Sequence, residues 1–123
     1  MALVGMKVYR TPVTGREKLR TLLAEPGALF SFSAQILASV VGARWLHLFD
    51  RITDPPNGTV PDYPPIPLPS DTLVALGADS AEEPFFVGTL GVAVGVSTTE
   101  DTYTVPAADE ARFYAIVVPN KVI

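Results

Sequence analysis

The stretch that most constrains the fold of this chain is residues 90–97, Leu-Gly-Val-Ala-Val-Gly-Val-Ser. Successive side chains of a β-strand point to opposite faces, so this stretch has two very different faces. One face carries Leu90, Val92, Val94 and Val96, and the other carries only Gly, Ala, Gly and Ser. The branched face fits a hydrophobic core, while the small face lets another backbone or a flat apolar surface approach closely. We therefore predict a strand with close neighbours on both sides.

Composition favours short strands joined by turns over long helices. The 123 residues are 48% hydrophobic and include 12 prolines and 9 glycines. Such a chain, rich in Val, Phe and Thr, suits pleated strands and interrupts helices. Its length fits one domain with a single hydrophobic core. Length and composition together predict one all-β domain.

Alternating apolar and polar residues place the strands along the chain. We predict strands over residues 28–36, 43–50, 72–77, 90–97 and 111–118, with a short extended piece at 85–87. In residues 43–50 both faces are apolar, which predicts a central or covered strand. Residues 54–69 hold seven of the twelve prolines and are predicted to form a long stiff loop without a ladder strand. This spacing predicts a single antiparallel β-sandwich, jelly-roll-like in type.

The N-terminal segment differs from the rest in pattern. Residues 14–17, Thr-Gly-Arg-Glu, match a capping box that would start a helix over 15–24, while a strand over 18–24 is the alternative that the β-rich context favours. Residues 1–10 alternate only weakly and are not expected to be ordered alone. We therefore expect residues 1–24 to be an extended N-terminal arm or docking segment, and residues 25–123 to form the β-sandwich domain.

Charge is distributed unevenly between these two parts. Residues 1–20 contain five basic residues and one acidic residue, whereas residues 21–123 contain four basic and twelve acidic residues. An acidic body repels nucleic acid, and the apolar start is too short for a membrane span, so neither partner is predicted. A basic arm favours docking on an acidic protein surface. The side chains expected to carry this docking are Leu3, Val4, Met6, Val8, Tyr9, Arg10, Arg16 and Arg20.

The chain offers few residues for catalysis or metal binding. It has no cysteine and one histidine, His47, which alternates with Trp45 and Phe49 in a predicted strand and is interpreted as structural. The acidic pairs at 82–83, 100–101 and 109–110 lie in polar loops without EF-hand spacing, which indicates solvated carboxylates. No nucleotide-binding or hydrolase fingerprint is present. We therefore predict no catalytic residues, no metal site and no cofactor.

Two aromatic residues are candidates for surface recognition. Tyr63 lies within the proline-rich loop and Trp45 lies in a predicted strand, and together they could form a platform for a sugar or a peptide. The competing interpretation is that Tyr63 packs on neighbouring prolines and stiffens the loop.

An ordered set of segments resembles small virion proteins of tailed bacteriophages. The set comprises residues 23–30 (Leu-Ala-Glu-Pro-Gly-Ala-Leu-Phe), 43–50 (Ala-Arg-Trp-Leu-His-Leu-Phe-Asp), 66–69 (Ile-Pro-Leu-Pro) and 91–104 (Gly-Val-Ala-Val-Gly-Val-Ser-Thr-Thr-Glu-Asp-Thr-Tyr-Thr). The resemblance runs from about residue 22 to residue 118. It brings no catalytic residues with it, and residues 1–21 lie outside it.

The resemblance implies a non-enzymatic structural role. A capsid decoration (cement) protein or a head-fibre base would dock on the major capsid protein or other virion proteins, and it would lie on the capsid surface after synthesis in the bacterial cytoplasm. We expect a homo-oligomer, with a trimer as one option. The alternative is a receptor- or glycan-binding module of a phage fibre that uses Trp45, Tyr63 and the 54–69 loop. A hydrolase built on His47 and a carboxylate is the least supported hypothesis.

Overall fold

The computed structural model describes residues 7–12, 15–37, 40–77 and 84–119, and in these ranges the chain is all β-strand and loop. Two antiparallel sheets pack face to face, which confirms the predicted β-sandwich. The strands are β1 (Lys7–Arg10), β2 (Leu19–Leu23), β3 (Gly27–Ile36), β4 (Trp45–Phe49), β5 (Ile66–Pro67), β6 (Leu73–Leu76), β7 (Phe86–Gly88), β8 (Val92–Ser97) and β9 (Ala111–Pro119).

Strands near the two ends of the sequence pair with each other, and the further pairs are nested between them along the sequence. Strand β1 pairs with β9, β2 with β8, β3 with both β6 and β7, and β4 with β5. The pairs β3–β9 and β4–β8 then join these hairpins into a first sheet, β1-β9-β3-β6 with β7 beside β3, and a second sheet, β2-β8-β4-β5. This order is that of a double-sheet jelly roll.

The hydrophobic core lies between the two sheets. The predicted branched face of β8 is confirmed, because Val92, Val94 and Val96 are fully buried there. They face residues of the first sheet, among which the rings of Phe32 and Phe113 lie 5.5 Å apart. Leu90 differs from the prediction, since it precedes β8 and is 60% exposed.

The proline-rich segment contains one strand that the sequence did not predict. Ile66 and Pro67 form β5, which pairs with Leu46 and Trp45. Proline is compatible with this position because β5 is a two-residue edge strand, and an edge strand can lack one amide donor. The prediction that residues 54–69 contain no ladder strand is therefore wrong at residues 66–67.

The N-terminal segment is part of the sandwich where the structure describes it. Residues 7–10 form an edge strand of the first sheet and residues 19–23 an edge strand of the second. The strand interpretation of residues 18–24 is confirmed and the helix alternative is wrong. The predicted boundary between an arm of residues 1–24 and a sandwich of residues 25–123 therefore does not separate two structural units in the described chain. Local periodicity could not show this, because the pairing partners of these strands lie in β9 and β8.

A buried carboxylate fixes the connection between these two edge strands. Glu17 accepts hydrogen bonds from Tyr9 Oη, from Thr11 Oγ1 (2.6 Å) and from Arg20 Nε (2.7 Å). Its backbone also exchanges two hydrogen bonds with Ala111 of β9. Burial raises the pKa of Glu17, but the hydrogen bonds outweigh that effect and the pKa lies below its usual 4.5. One residue thus holds β1, β2 and β9 together, through its ionised side chain and its backbone.

The small-residue face of β8 is covered by the protein's own loops. The covering loops, residues 56–60 and 98–105, are joined by two hydrogen bonds of 2.8 Å between Gly58, Thr59 and Tyr103. The Tyr103 ring lies so close to Gly95 that a Cβ on this glycine would be 2.7 Å from Cε1 of the ring. This confirms the predicted close approach to the small face. The neighbour is a segment of the same chain.

The contact between Gly95 and Tyr103 yields a first prediction. We expect Gly95→Ala to lower the free energy of unfolding by about 1–3 kcal/mol, because the added methyl must displace a fully buried ring. Urea denaturation checks this value. Gly15→Ala is the matched control, since its nearest atom would lie at an ordinary 3.6 Å. Equal stability of the Gly95→Ala protein and the wild type would contradict the prediction.

The Glu17 network yields a second prediction. Glu17→Gln should lower the free energy of unfolding at pH 7 by about 1–3 kcal/mol, because charge-assisted hydrogen bonds are lost in a buried place. Because the folded-state pKa is depressed, this stabilisation is present above pH 4.5 and disappears as the pH falls through the folded-state pKa. Urea melts of both proteins from pH 7 to pH 3 should therefore converge. Glu100→Gln, at an exposed side chain, is the control.

Candidate functional site

The two outer faces of the sandwich are covered to very different extents. On the second sheet, the outward residues His47, Phe49, Ala93 and Ser97 are all 0% exposed, because the covering loops lie on them. On the first sheet, the outward side chains have no such layer among the described residues, and Leu73 is 62% exposed there. The open side of the molecule is therefore the outer face of the first sheet.

We call this outer face of the first sheet the open face. Strand register defines its members, because residues that alternate along each strand share a face. They are Val8, Arg10, Ala28, Phe30, Ser31, Ser33, Gln35, Leu73, Ala75, Val87, Arg112, Tyr114, Ile116 and Val118. This set contains no carboxylate, and its two charged residues are both arginines.

The open face is graded from one end to the other. At one end, Gln35 stands opposite Arg112 on β9 and opposite Leu73 on β6. At the other end, Ala28 stands opposite both Val87 and Val118. A polar, cationic end therefore passes into an apolar end along the same sheet.

A backbone irregularity shapes the apolar end. The register of β3 against β9 shifts between Leu29 and Ser31, so Phe30 is an extra residue in a β-bulge. Phe30 consequently lines a shallow apolar groove with Ala28 and Val87. The alternation by which the strand over residues 28–36 was predicted would put residues 28, 30, 32, 34 and 36 on one face, and the bulge shows that this is wrong. The side chain of Leu29 is buried in the core, whereas Ala28 and Phe30 lie on the open face.

Four of the eight exposed large apolar side chains in the described chain lie on the open face. Val8 is 57% exposed, Val87 is 60% exposed and Tyr114 is 41% exposed, in addition to Leu73. Side chains of this kind normally lie against another surface when they occur together. The open face is therefore the best candidate for a binding surface in the described chain.

The predicted docking residues of the N-terminal segment separate into three groups. Val8 and Arg10 lie on the open face. Tyr9 and Arg20 belong to the Glu17 network, with the Arg20 guanidinium 4.8 Å from the Tyr9 ring centroid. Arg16 lies beside Arg112 in a surface depression. The remaining three, Leu3, Val4 and Met6, lie outside the described residues.

The two predicted recognition aromatics do not meet. Tyr63 packs edge-on against Phe85 and Phe86, with ring centroids 6.1 and 6.2 Å away, so it closes the side of the sandwich. Trp45 is half-buried on the second sheet, opposite Ser97. No ring contact joins Trp45 to Tyr63 among the described residues. The structure thus favours the packing interpretation for Tyr63.

His47 supports the covering loops. It is fully buried, stands opposite Gly95 and lies next to the rings of Phe49 and Tyr103. Its Nε2 lies 2.8 Å from the backbone oxygen of Glu100, so Nε2 is the protonated ring nitrogen and donates a hydrogen bond to that carbonyl. Nδ1 has no partner among the described residues. Burial lowers the pKa of His47 below 6.5, partly opposed by this hydrogen bond.

Two described carboxylates serve local structure, and Glu110 is buried, so the interpretation of the pair at 109–110 as solvated is wrong at Glu110. Glu110 pairs with Arg44 at 2.5 Å, and Asp50 accepts hydrogen bonds from Thr89, Leu90 and Gly91 before β8. Burial of Asp50 raises its pKa, but these bonds outweigh that effect and lower the pKa to about 2. Within the described residues, no three His, Cys, Asp or Glu side chains are placed to hold a metal ion. The acidic pair at 82–83 lies outside the described residues.

Sequence reasoning named only Val8 and Arg10 of the open face and missed its other members, among them the exposed Leu73, Val87, Arg112 and Tyr114. The signal for two of them was available, because alternation in residues 111–118 places Arg112 and Tyr114 opposite the buried Phe113 and Ala115. Leu73 and Val87 carried no such signal, since each lies in a strand of four or three residues.

Comparison of the chain with protein-family profiles, with curated proteins and with solved structures gave no match. Within the described ranges, no helix has the length and apolar character needed to cross a lipid bilayer.

The geometry of His47 yields a third prediction. Because its folded-state pKa is depressed, stability should be full above pH 6.5 and should decline as the pH falls below 6.5, by up to about 1.4 kcal/mol per pH unit. His47→Gln retains a side-chain donor for the Glu100 carbonyl but does not titrate, so its stability should stay level between pH 6.5 and pH 5. Urea melts at several pH values compare the two proteins, and a level wild-type profile would contradict the prediction.

Proposed function

We propose that this chain is a non-enzymatic structural protein that binds a larger protein assembly through its open face. The observation that carries the proposal is the unequal coverage of the two sheets. Loops bury the outer face of the second sheet, whereas no described loop layer covers the first, where four large apolar side chains are exposed. A sheet face with apolar side chains at one end and arginines at the other suits a partner surface with apolar and acidic groups.

The assembly we propose is the virion of a tailed bacteriophage. Support for this step comes from the sequence resemblance across residues 22–118, which implies a capsid decoration protein or a head-fibre base. The jelly-roll order of the strands agrees with it at the level of fold alone, because jelly rolls recur in viral capsid domains and in lectins. The major capsid protein is the proposed partner, and a homo-oligomer is the proposed form.

The proposed docking surface is the open face and not the N-terminal arm that was predicted from the sequence. Tyr9 and Arg20 are engaged with Glu17 at the edge of the sandwich, whereas Val8 and Arg10 share the open face with residues of β9 and β6. Binding of the folded protein to an assembled shell would stabilise both partners by simple linkage. Deletion of residues 1–24 is a poor test, because it removes an edge strand from each sheet.

A fourth prediction tests the open face with single substitutions. Leu73→Glu and Val87→Glu should reduce the fraction of protein that co-sediments with virions lacking it by about ten-fold or more, because a charge replaces an apolar contact. Val60→Glu and Ile52→Glu are matched controls, since these side chains are 66% and 52% exposed elsewhere. They should bind as the wild type does.

Two results would contradict this proposal. If co-sedimentation with virions fell equally in all four variants, or fell in none of them, the open face would not be the docking surface. Absence of virion binding together with affinity for a glycan would favour the alternative, a receptor-binding module. Circular dichroism and urea melts of each variant confirm that the fold is intact before binding is compared.

A further inference from the structure

Strand register brings three arginines together at the polar end of the open face. The antiparallel bridge between Glu17 and Ala111 places Arg16 opposite Arg112. Arg10 stands opposite Tyr114, which is two residues along β9 on the same face, so Arg10 is the diagonal neighbour of Arg112. We call Arg10, Arg16 and Arg112 the arginine corner.

The arginine corner lines two adjoining surface depressions. Arg16, Arg112 and Gln35 line the first, together with Asp71. Arg10, Arg112 and Gln35 line the second, together with Leu73 and Tyr114, which lie on the open face. Gln35 and Arg112 belong to both depressions, so the two form one continuous surface.

The charges of the arginine corner are not neutralised within the described chain. The ion pairs formed there involve Lys7, Arg20 and Arg44, and none involves an arginine of the corner. Arg16 donates from Nη1 to the backbone oxygen of Gly15, while its Nε is buried and has no partner in the described residues. With the single carboxylate of Asp71, the corner keeps an excess of two positive charges.

We propose that the arginine corner binds a carboxylate from a protein partner, with an apolar side chain of the same partner on Leu73 and Tyr114. The guanidinium group presents a planar fork of N–H donors that matches a carboxylate bidentately, and converging forks favour an anion over water. The inference rests on the proposed function, because the carboxylate is supplied by the surface on which the open face docks.

A protein carboxylate fits this surface better than a nucleic-acid phosphate does. The chain carries a net charge of −4, and the acidic groups outside the corner repel an extended polyanion. A single carboxylate next to an apolar group meets only the cationic corner and its apolar border. Leu73, at 62% exposure, and Tyr114, at 41%, give that border the character of a site for an apolar side chain.

A small-molecule titration tests the chemistry directly as the fifth prediction. N-acetylphenylalanine supplies a carboxylate beside an aromatic group, and N-acetylphenylalaninamide is the same molecule without the charge. We expect the acid to bind the full-length protein with a Kd of about 1–10 mM and the amide about ten-fold more weakly. Nitrogen-15 spectra of the labelled protein should show shifts at the arginine Nε–H groups of the corner and at Gln35.

Matched variants assign the binding to the corner. Arg112→Gln should weaken binding of N-acetylphenylalanine by about five-fold or more, because Arg112 belongs to both depressions. Arg51→Gln is the control, since Arg51 also has a buried Nε without a described partner but lies outside the corner. It should bind as the wild type does.

Several results would overturn the inference. Equal binding of the acid and the amide would show apolar adhesion alone, and tighter binding of phenyl phosphate by about ten-fold or more would assign the corner to phosphate. Unchanged binding in Arg112→Gln would place the site elsewhere. If Arg112→Gln loses the acid but still co-sediments with virions, the carboxylate does not come from the partner, while the proposed docking by the open face stands. The same conclusion would follow if co-sedimentation with virions were lost in Leu73→Glu and Val87→Glu but kept in Arg112→Gln.

Discussion

The close packing of the Tyr103 ring on Gly95 determines which side of this molecule is available to a partner. Gly95, which stands opposite His47, leaves room for the flat ring of Tyr103. Because Tyr103 belongs to the covering loops, its packing on Gly95 places these loops over the outer face of the second sheet. Ser97 then holds the loop above it through bonds to Thr99 and Thr104. The small face of β8 is thereby occupied within the chain. On the first sheet the described loops form no such layer, and Val8, Leu73, Val87 and Tyr114 stay exposed.

Nested pairing explains why the chain needs its N-terminal residues. In a jelly roll the first strand pairs with the last, so β1 and β2 complete sheets whose other strands are formed far along the sequence. Short edge strands add little stability by themselves. Glu17 compensates by joining β1, β2 and β9 through its carboxylate and its backbone. Polar bonds close this side of the sandwich, while Tyr63, Phe85 and Phe86 close the opposite side.

Much of the architecture could be predicted from the sequence because period-two alternation is a local signal. The faces of β8, the covered character of β4 and the structural role of His47 all follow from it. Features that depend on distant pairing could not be predicted. The extra residue Phe30 shifts the phase of β3 without any local mark, and nothing near residues 7–10 indicates a partner about a hundred residues away. Arg10 and Arg16 were named from the sequence as docking residues, but their grouping with Arg112 could not be predicted for the same reason. Arg16 and Arg112 lie 96 positions apart in the 123-residue chain, and the bridge between Glu17 and Ala111 makes them neighbours.

Placing like charges side by side opposes folding unless something nearby offsets it, and the described chain supplies only Asp71 at that position. The same bridge is required by the Glu17 network, which stabilises the edge strands. The fold therefore tolerates the arginine corner because the backbone bridge that forms it also holds the Glu17 network in place. A partner that brings an anion to this corner would relieve the repulsion that the fold leaves in place. Binding and folding would then favour the same arrangement of β1, β2 and β9.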